Sequence, residues 1–242
     1  MAVSYFVGLV CDLSYLSPAK IESEIMIRKL AKKIISKNDK KRFDTALLTD
    51  LVFVNMGAGI TRIEGAINID ISPKADISVN LGVDPLPFDD ESVDLIYSDH
   101  TIEHVENYLY LIGEINRVLK KGGCFLVGVP YVTLTKYNLI NPYHLHNFNE
   151  YSFDFFDPTR LRGSAAEVED IDLRRLSHSY GYLGVFRFIP IFRSLLRRYL
   201  FNIVRDIKFA VVKGDNPSAL TMQIARNLPS AYRRISSLRK SY

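Results

Sequence analysis

Two glycines, Gly57 and Gly59, close the apolar run LVFVNMGAGI at residues 51–60. Glycine directly after a buried strand lets the backbone approach a ligand with no Cβ in the way. A dinucleotide loop would carry a third glycine three residues on, and Arg62 stands there instead. Behind the loop, at the end of the next predicted strand, comes Asn68-Ile69-Asp70, and a carboxylate at that place accepts the hydroxyls of a ribose. The interval from Met56 to Ala66 is shorter than a parallel crossover with its helix normally needs. Any helix after Gly59 is therefore a turn or two at most, and a pyrophosphate on a long helix dipole is disfavoured. The glycine pair alone reads equally well as a tight turn. With the strand-end acid behind it, the expected ligand is a nucleoside without a diphosphate.

Histidine is the side chain best suited to proton transfer near neutral pH. His100 follows the fourth predicted strand, at the sheet edge where ligands collect in this kind of fold. His144 and His146 lie in NPYHLHNFNE. Each has a bland reading: His100 as an anchor of a strand-to-helix turn, the other two as packing among Tyr143, Phe148 and Tyr151. His104, after Glu103 at a helix start, reads as structural, and His178 has no informative context. An H-x-H pair can ligate a metal, but no third ligand stands at a recognisable spacing, so no metal is expected.

The elements that must position these residues follow from apolar periodicity. Leu51–Met56, Ala66–Ile71, Val93–Ser98 and Cys124–Val129 read as buried strands, with a weaker one over Ile77–Leu81. Asn107–Leu119 reads as a helix with Leu111, Ile115 and Val118 on one face, stopped by Lys120-Lys121-Gly122-Gly123. Nearly continuous apolar strands separated by helix imply a parallel sheet covered on both faces. The stretch over 18–37, with Ile21, Ile25, Leu30 and Ile34 at helical spacing, reads as an amphipathic helix whose apolar face could pair with a second copy. Near the other end, Ile207–Val212 and Leu220–Ala225 read as two strands joined by the turn Lys213–Pro217, an antiparallel hairpin.

At 242 residues, 48% of them apolar, the chain is one domain with decorations: an N-terminal helical extension (1–48), a cofactor-binding core (49–132), a substrate-side insertion (133–205), and final strands with a tail (206–242). The net charge of +4 does not imply nucleic acid. Cys11 and Cys124 form neither a disulfide framework nor a metal knuckle, and suit a reducing, cytoplasmic setting. The apolar stretch Tyr5–Cys11 lacks a basic lead and is broken by Asp12, so no signal peptide is expected.

Residues 50–132 together resemble a class I S-adenosylmethionine-dependent methyltransferase of the type 11 kind. The resemblance rests on NMGAG (Asn55–Gly59), the strand-end Asp70, the pair Asn80-Leu81, LPFDDESVD (86–94), SDHTIEH (98–104) and RVLKKGG (117–123), in that order. It implies a Rossmann-like α/β fold: a seven-stranded, mostly parallel sheet with a C-terminal antiparallel hairpin and helices on both faces. It implies S-adenosylmethionine as cofactor, met by Asn55, Gly57, Ala58, Gly59, Asp70, Ile71, Asn80, Leu81, Ser98 and His100. The stretch around His144 and His146 resembles the P-x-H-x-H-x-F segment of related members, so these join His100 as catalytic candidates. Two residues depart from the family pattern. Asn55 stands where many members carry an acid near the methionine amino group, and Asn80 where many carry Asp facing the adenine. Asn offers a carbonyl oxygen in both roles, but a neutral acceptor binds less strongly than a charged one.

The expected activity is methyl transfer to an oxygen or nitrogen of a small molecule or saccharide. The alternative is a degenerate member that serves as a partner or scaffold. No asparagine-proline-proline-aromatic signature marks a nucleic-acid methyltransferase. The segment 183–205 combines Phe186, Phe188, Ile191, Phe192 and Leu195 with several arginines. It reads as a helix pair packed on the sheet or as a membrane-surface face suited to a lipid-linked glycan.

Overall fold

The computed structural model describes residues 43–160, 170–187 and 193–241. The helix expected over 18–37, with its dimer face, and Cys11 lie outside them. The strands are β1 (Phe53–Met56), β2 (Thr61–Ile63), β3 (Ile67–Asp70), β4 (Ile77–Ser78), β5 (Val93–Asp99), β6 (Leu119–Pro130), β7 (Leu173–Tyr182), β8 (Val204–Lys213) and β9 (Arg239–Ser241). The helices are α1 (Tyr108–Val118), α2 (Thr135–Asn138), α3 (Arg193–Tyr199), α4 (Ala219–Arg226) and α5 (Leu228–Ser236).

Seven strands form one sheet in the order β4-β3-β1-β5-β6-β8-β7. From β4 to β6 every pairing is parallel; β8 runs antiparallel to both β6 and β7. The central strands are buried on both faces because their side chains alternate between two apolar layers. Val54, Ile96, Val127 and Phe209 face one layer, with Leu111, Ile112 and Ile115 of α1 against them. Phe53, Leu95, Leu126 and Ala210 face the other, closed by Ile224 of α4 and Leu228, Ala231 and Ile235 of α5. The Rossmann-like α/β sheet expected from the sequence is thus present, with helices on both faces.

Three local readings are corrected. First, the interval after Gly59, expected to hold at most a turn or two of helix, holds a strand that the apolar pattern did not mark. The crossover from β1 to β3 contains β2, which pairs antiparallel with β9 in a separate two-stranded sheet. Its β-branched Thr61 and Ile63 suit a strand, and Ile63 is fully buried. Second, α1 ends at Val118 and passes straight into β6, where Leu119 pairs with Val93. Leu95 then pairs with Cys124, so residues 120–123 bulge out of the ladder. Lys120 serves the carboxylate of Asp94, at 2.8 and 2.9 Å, rather than the end of α1.

Third, Leu220–Ala225 is helical, not a strand. The Ser218 side chain accepts the Thr221 N–H at 3.2 Å and starts α4, and buried Thr221 and Ile224 give it a helical face. The antiparallel partner of β8 is instead β7, from the stretch read as a substrate-side insertion. With its sequence LRRLSHSYGY, β7 is a half-buried edge strand with little apolar content. That is why apolar periodicity passes over it.

Candidate active site

Two clefts open at the carboxyl ends of the parallel strands. The smaller, of about 660 Å³, is lined by Gly57 and Gly59 after β1, Asp70 and Ile71 at the end of β3, Asn80 and Leu81 after β4, and His100 after β5. These come together because β1, β3 and β5 are parallel neighbours, so their following loops share one edge.

Gly57 has φ +75°, and a Cβ there would stand 2.1 Å from Thr101 Oγ1. Only glycine permits both the backbone conformation and the close approach of the next loop. The loop offers space rather than donors, contrary to the simplest expectation for a glycine turn. Gly57 and Ala58 both donate their N–H to the Ile69 carbonyl, at 2.9 and 3.1 Å, and Gly59 donates to Asp70 Oδ2 at 2.9 Å. Asp70 Oδ1 accepts the Ser72 N–H at 2.9 Å, so the carboxylate is fixed from both sides while still lining the cleft. Ile71 and Val83 expose apolar surface beside Leu81.

Three residues expected at the cofactor lie outside this lining. Ala58 is buried. Ser98 is fully buried in β5, its hydroxyl without a partner among the described residues. Asn55 is buried in β1 and donates from Nδ2 to Asn68 Oδ1 at 2.9 Å. Asn68 is the centre of this polar knot. Its Oδ1 also accepts the Ile63 N–H at 2.7 Å, and its Nδ2 donates to Asp76 Oδ2 at 2.7 Å. These bonds from Asn68 hold the Asp76 carboxyl below its ordinary pKa. Asn55 therefore helps anchor the short crossover through β2. Its Oδ1 is buried with no partner among the described residues. Sequence reasoning missed Thr101, Glu106 and Asn107, which line the cleft from the loop that leads into α1.

The larger cleft, about 1230 Å³, runs from His100, Glu103, His104 and His144 across the exposed ends of β7 and β8 to α5. It is strongly ionic. Asp206 contacts Lys208, and Arg205 at 2.7 Å. Asp99 accepts from the Tyr232 hydroxyl and from Arg239, the latter at 2.7 Å. Burial works against a charged Asp206, but Lys208 and Arg205 outweigh it and hold its pKa below the ordinary carboxylate value.

His100 and His104 line both clefts. His100 sits at φ +54° with its N–H donated to the Gly128 carbonyl at 2.9 Å, which fits the turn-anchor reading. Its Nδ1 is 3.3 Å from Glu103 Oε1. Burial disfavours the charged ring, yet contact with Glu103 and the carboxylates of Asp99 and Asp206 raise its pKa above the ordinary imidazole value. His144 lies in the larger cleft. Burial first, then the neighbouring imidazole of His104, lowers its pKa. His146 lines neither cleft: Nε2 lies 2.8 Å from the Val105 carbonyl and the ring packs on Tyr108. It is a packing residue. Phe148, Phe153 and Phe156 of the same stretch are buried against the sheet.

In the 183–205 segment, Phe188, Ile191 and Phe192 lie outside the described residues. Phe186 packs against the core, whereas Leu195, Tyr199 and Phe201 are exposed. Arg193 and Arg197 lie over the rings of Tyr182 and Tyr180. Among the described residues no helix is long and apolar enough to cross a membrane.

The fold is a Rossmann-like α/β domain with a cleft at the ends of its parallel strands. Residues 62–127 match the family model described as a methyltransferase domain. That match lies within the stretch whose resemblance implies a class I S-adenosylmethionine-dependent methyltransferase and S-adenosylmethionine as its cofactor. The donor set fits that cofactor: a space kept open by Gly57, a fixed carboxylate at Asp70 and apolar walls at Ile71 and Leu81. Among solved structures, YcgJ of Bacillus subtilis is 13% identical with a TM-score of 0.47, over 78% of this chain and 100% of that one. A SAM-dependent methyltransferase of Archaeoglobus fulgidus is 15% identical with a TM-score of 0.46, over 78% and 94%. Geranyl diphosphate C-methyltransferase of Streptomyces coelicolor A3(2) is 14% identical with a TM-score of 0.43, over 85% and 86%. No curated protein matches the chain in sequence.

Proposed function

We propose that this domain is an active methyltransferase. Its substrate is a small molecule or saccharide held in the larger cleft, methylated on oxygen or nitrogen. The observation that carries the reading is the meeting of the two clefts at His100 and His104. When bound, S-adenosylmethionine supplies a methyl group already activated by its sulfonium. The protein's task is alignment and exclusion of water. Asp70 would accept the ribose hydroxyls, Ile71 and Leu81 would flank the adenine, and Asn80 would meet its amine. His100, at the boundary, would face the acceptor and receive the proton it gives up on methylation. The mixed charges of the larger cleft suit a polar, hydroxylated acceptor better than an apolar one.

Incubation of the full chain with S-adenosylmethionine and a panel of hydroxylated and amino acceptors tests this. The expected readout is S-adenosylhomocysteine release coupled to one added methyl on the product. Tight cofactor binding with no turnover on any saccharide or small polar acceptor would favour the scaffold reading instead.

We place the protein in the cytoplasm, with α3 and the residues after it touching a membrane surface. The exposed side chains of Leu195, Tyr199 and Phe201 beside Arg198 support this, and it suits a lipid-linked acceptor. Flotation with anionic vesicles checks it: binding lost at high salt is expected, and no binding at low salt would remove the idea.

A further inference from the structure

Glu103, His104 and His144 come from two segments stitched together by main-chain bonds. The Leu145 and His146 N–H groups donate to the Glu103 carbonyl at 2.8 and 3.3 Å. The stitch sets the rings of His104 and His144 edge to face, with centroids 4.7 Å apart. One ligand-capable atom from each of the three residues lies within 4.8 Å of the other two.

The outer nitrogen of each ring is already engaged. His104 Nδ1 lies 2.9 Å from the Tyr143 carbonyl, which can only accept, so Nδ1 carries the hydrogen. His144 Nδ1 lies 3.3 Å from Asn138 Oδ1. The orientation of that amide is fixed by its other end, because Nδ2 donates to the Tyr131 and Val132 carbonyls at 2.8 and 3.2 Å. Each neutral ring thus keeps its Nε2 lone pair free. This is the arrangement in which a second shell orients histidine ligands. Glu103 completes the set. It is fully buried, and neither of its oxygens has a hydrogen-bond partner among the described residues. His100 Nδ1 approaches Oε1 at 3.3 Å and leaves Oε2 unengaged. The buried Oε2 thus stays unmet beside an Oε1 that faces His100, and an unmet buried carboxylate oxygen is costly.

We propose that Glu103, His104 and His144 bind a divalent cation of the zinc class, through one Glu103 oxygen and the two Nε2 atoms. Two imidazoles and a carboxylate form the ligand set of an open, three-ligand zinc site, whereas magnesium and calcium prefer all-oxygen shells. Tetrahedral bonds near 2.0–2.1 Å separate ligand atoms by roughly 3.3 Å, so the triangle contracts when the ion enters. All three residues line the larger cleft, and His104 also borders the smaller one. The open fourth position therefore faces the acceptor side, where an acceptor oxygen can complete the shell. That last role rests on the proposed function; the binding of the cation does not.

The test is titration of the chelator-treated full chain with Zn²⁺ by calorimetry, with S-adenosylmethionine affinity measured in parallel as a check on the fold. One Zn²⁺ per chain is expected. His144→Ala should abolish that binding, and Asn138→Ala should weaken it about 10-fold, the scale for a second-shell partner. Neither variant should alter cofactor affinity, because neither residue lines the cofactor cleft. Absence of stoichiometric Zn²⁺ binding in a chain that still binds cofactor would overturn the inference. So would a His144→Ala variant that binds Zn²⁺ as the parent does, or a site that takes Mg²⁺ in preference to Zn²⁺. Zinc binding without methyl transfer would leave this inference standing and count against the proposed activity.

Discussion

The donor half of the molecule and the acceptor half are built by different rules. On the donor side, β1, β3, β4 and β5 are parallel, and the cleft is made of the first residues after each strand. Its contacts to the sheet are main-chain bonds or single fixed carboxylates. On the acceptor side, β7 and β8 run antiparallel, and the cleft collects side chains from between Asp99 and Ser237. Its members are held by one another, through Asp206 with Arg205 and Lys208 and through Asp99 with Tyr232 and Arg239. A cleft framed by backbone keeps its shape while its residues change little. A cleft framed by ion pairs depends on side chains at strand ends, Asp99 of β5 and Arg205, Asp206 and Lys208 of β8, and so on charge as well as on the sheet.

That contrast can be broken at the donor side most sharply through Gly57→Val. A Cβ 2.1 Å from Thr101 Oγ1, at a φ of +75°, should cost ~3 kcal/mol or more and reduce cofactor affinity by at least about 100-fold in calorimetry. Normal affinity would show that the loop faces elsewhere. At the boundary, His100→Asn keeps the left-handed backbone, which asparagine tolerates. Turnover should fall about 100-fold while the cofactor Kd changes little. A matched loss of both would make His100 a cofactor residue alone.

Asp70→Ala should weaken cofactor binding by about 10–100-fold, or ~1.5–3 kcal/mol. Acceptor KM, measured at saturating cofactor, should not move, and a shifted KM would mean that the two clefts are not separable. On the acceptor side, the effect should appear as pH-dependent stability. The Asp206 carboxyl has a folded-state pKa below its ordinary 3.8. Its stabilisation is present above that value and disappears as the pH falls through the folded-state pKa. Asp206→Asn should therefore cost about 1–2 kcal/mol at neutral pH in denaturant unfolding, with the gap closing in acid. A gap independent of pH would mean that packing, not charge, holds the cleft. The smallest effect is expected from Phe201→Ser, within about 0.5 kcal/mol of the parent in stability because the side chain is exposed. It should nevertheless lower vesicle binding.

The same contrast decides how much the sequence revealed. The parallel half was legible because its strands are nearly continuous apolar runs and its ligand residues follow them immediately. Gly57, Gly59, Asp70 and His100 could be placed on that basis, and Ile71, Asn80 and Leu81 through the family resemblance; all line the smaller cleft. Asn55, Ala58 and Ser98 line neither cleft: Asn55 and Ser98 are buried within β1 and β5, and Ala58 is buried in the loop after β1. The antiparallel half was opaque. β7 carries arginines, serines and tyrosines at an edge, so no apolar period marks it, and Leu220–Ala225 is as apolar as a strand while Ser218 starts it as a helix. The grouping of Glu103 and His104 with His144 was invisible for another reason. The residues lie on separate segments, and only the bonds of Leu145 and His146 to the Glu103 carbonyl bring them together.

The pairing of β2 with β9 has a consequence for how the molecule is made. The outer edge of the loop after Gly59 is a strand whose partner, Arg239–Ser241, is synthesised after every other described element. Arg239 also reaches Asp99 under the acceptor cleft. During synthesis the sheet can close long before this seam does, because the earlier parts of a chain fold first. The outer side of the crossover from β1 to β3 is thus among the last parts of the fold to be fastened, after the loop at Gly57 and Gly59 has made its bonds to β3.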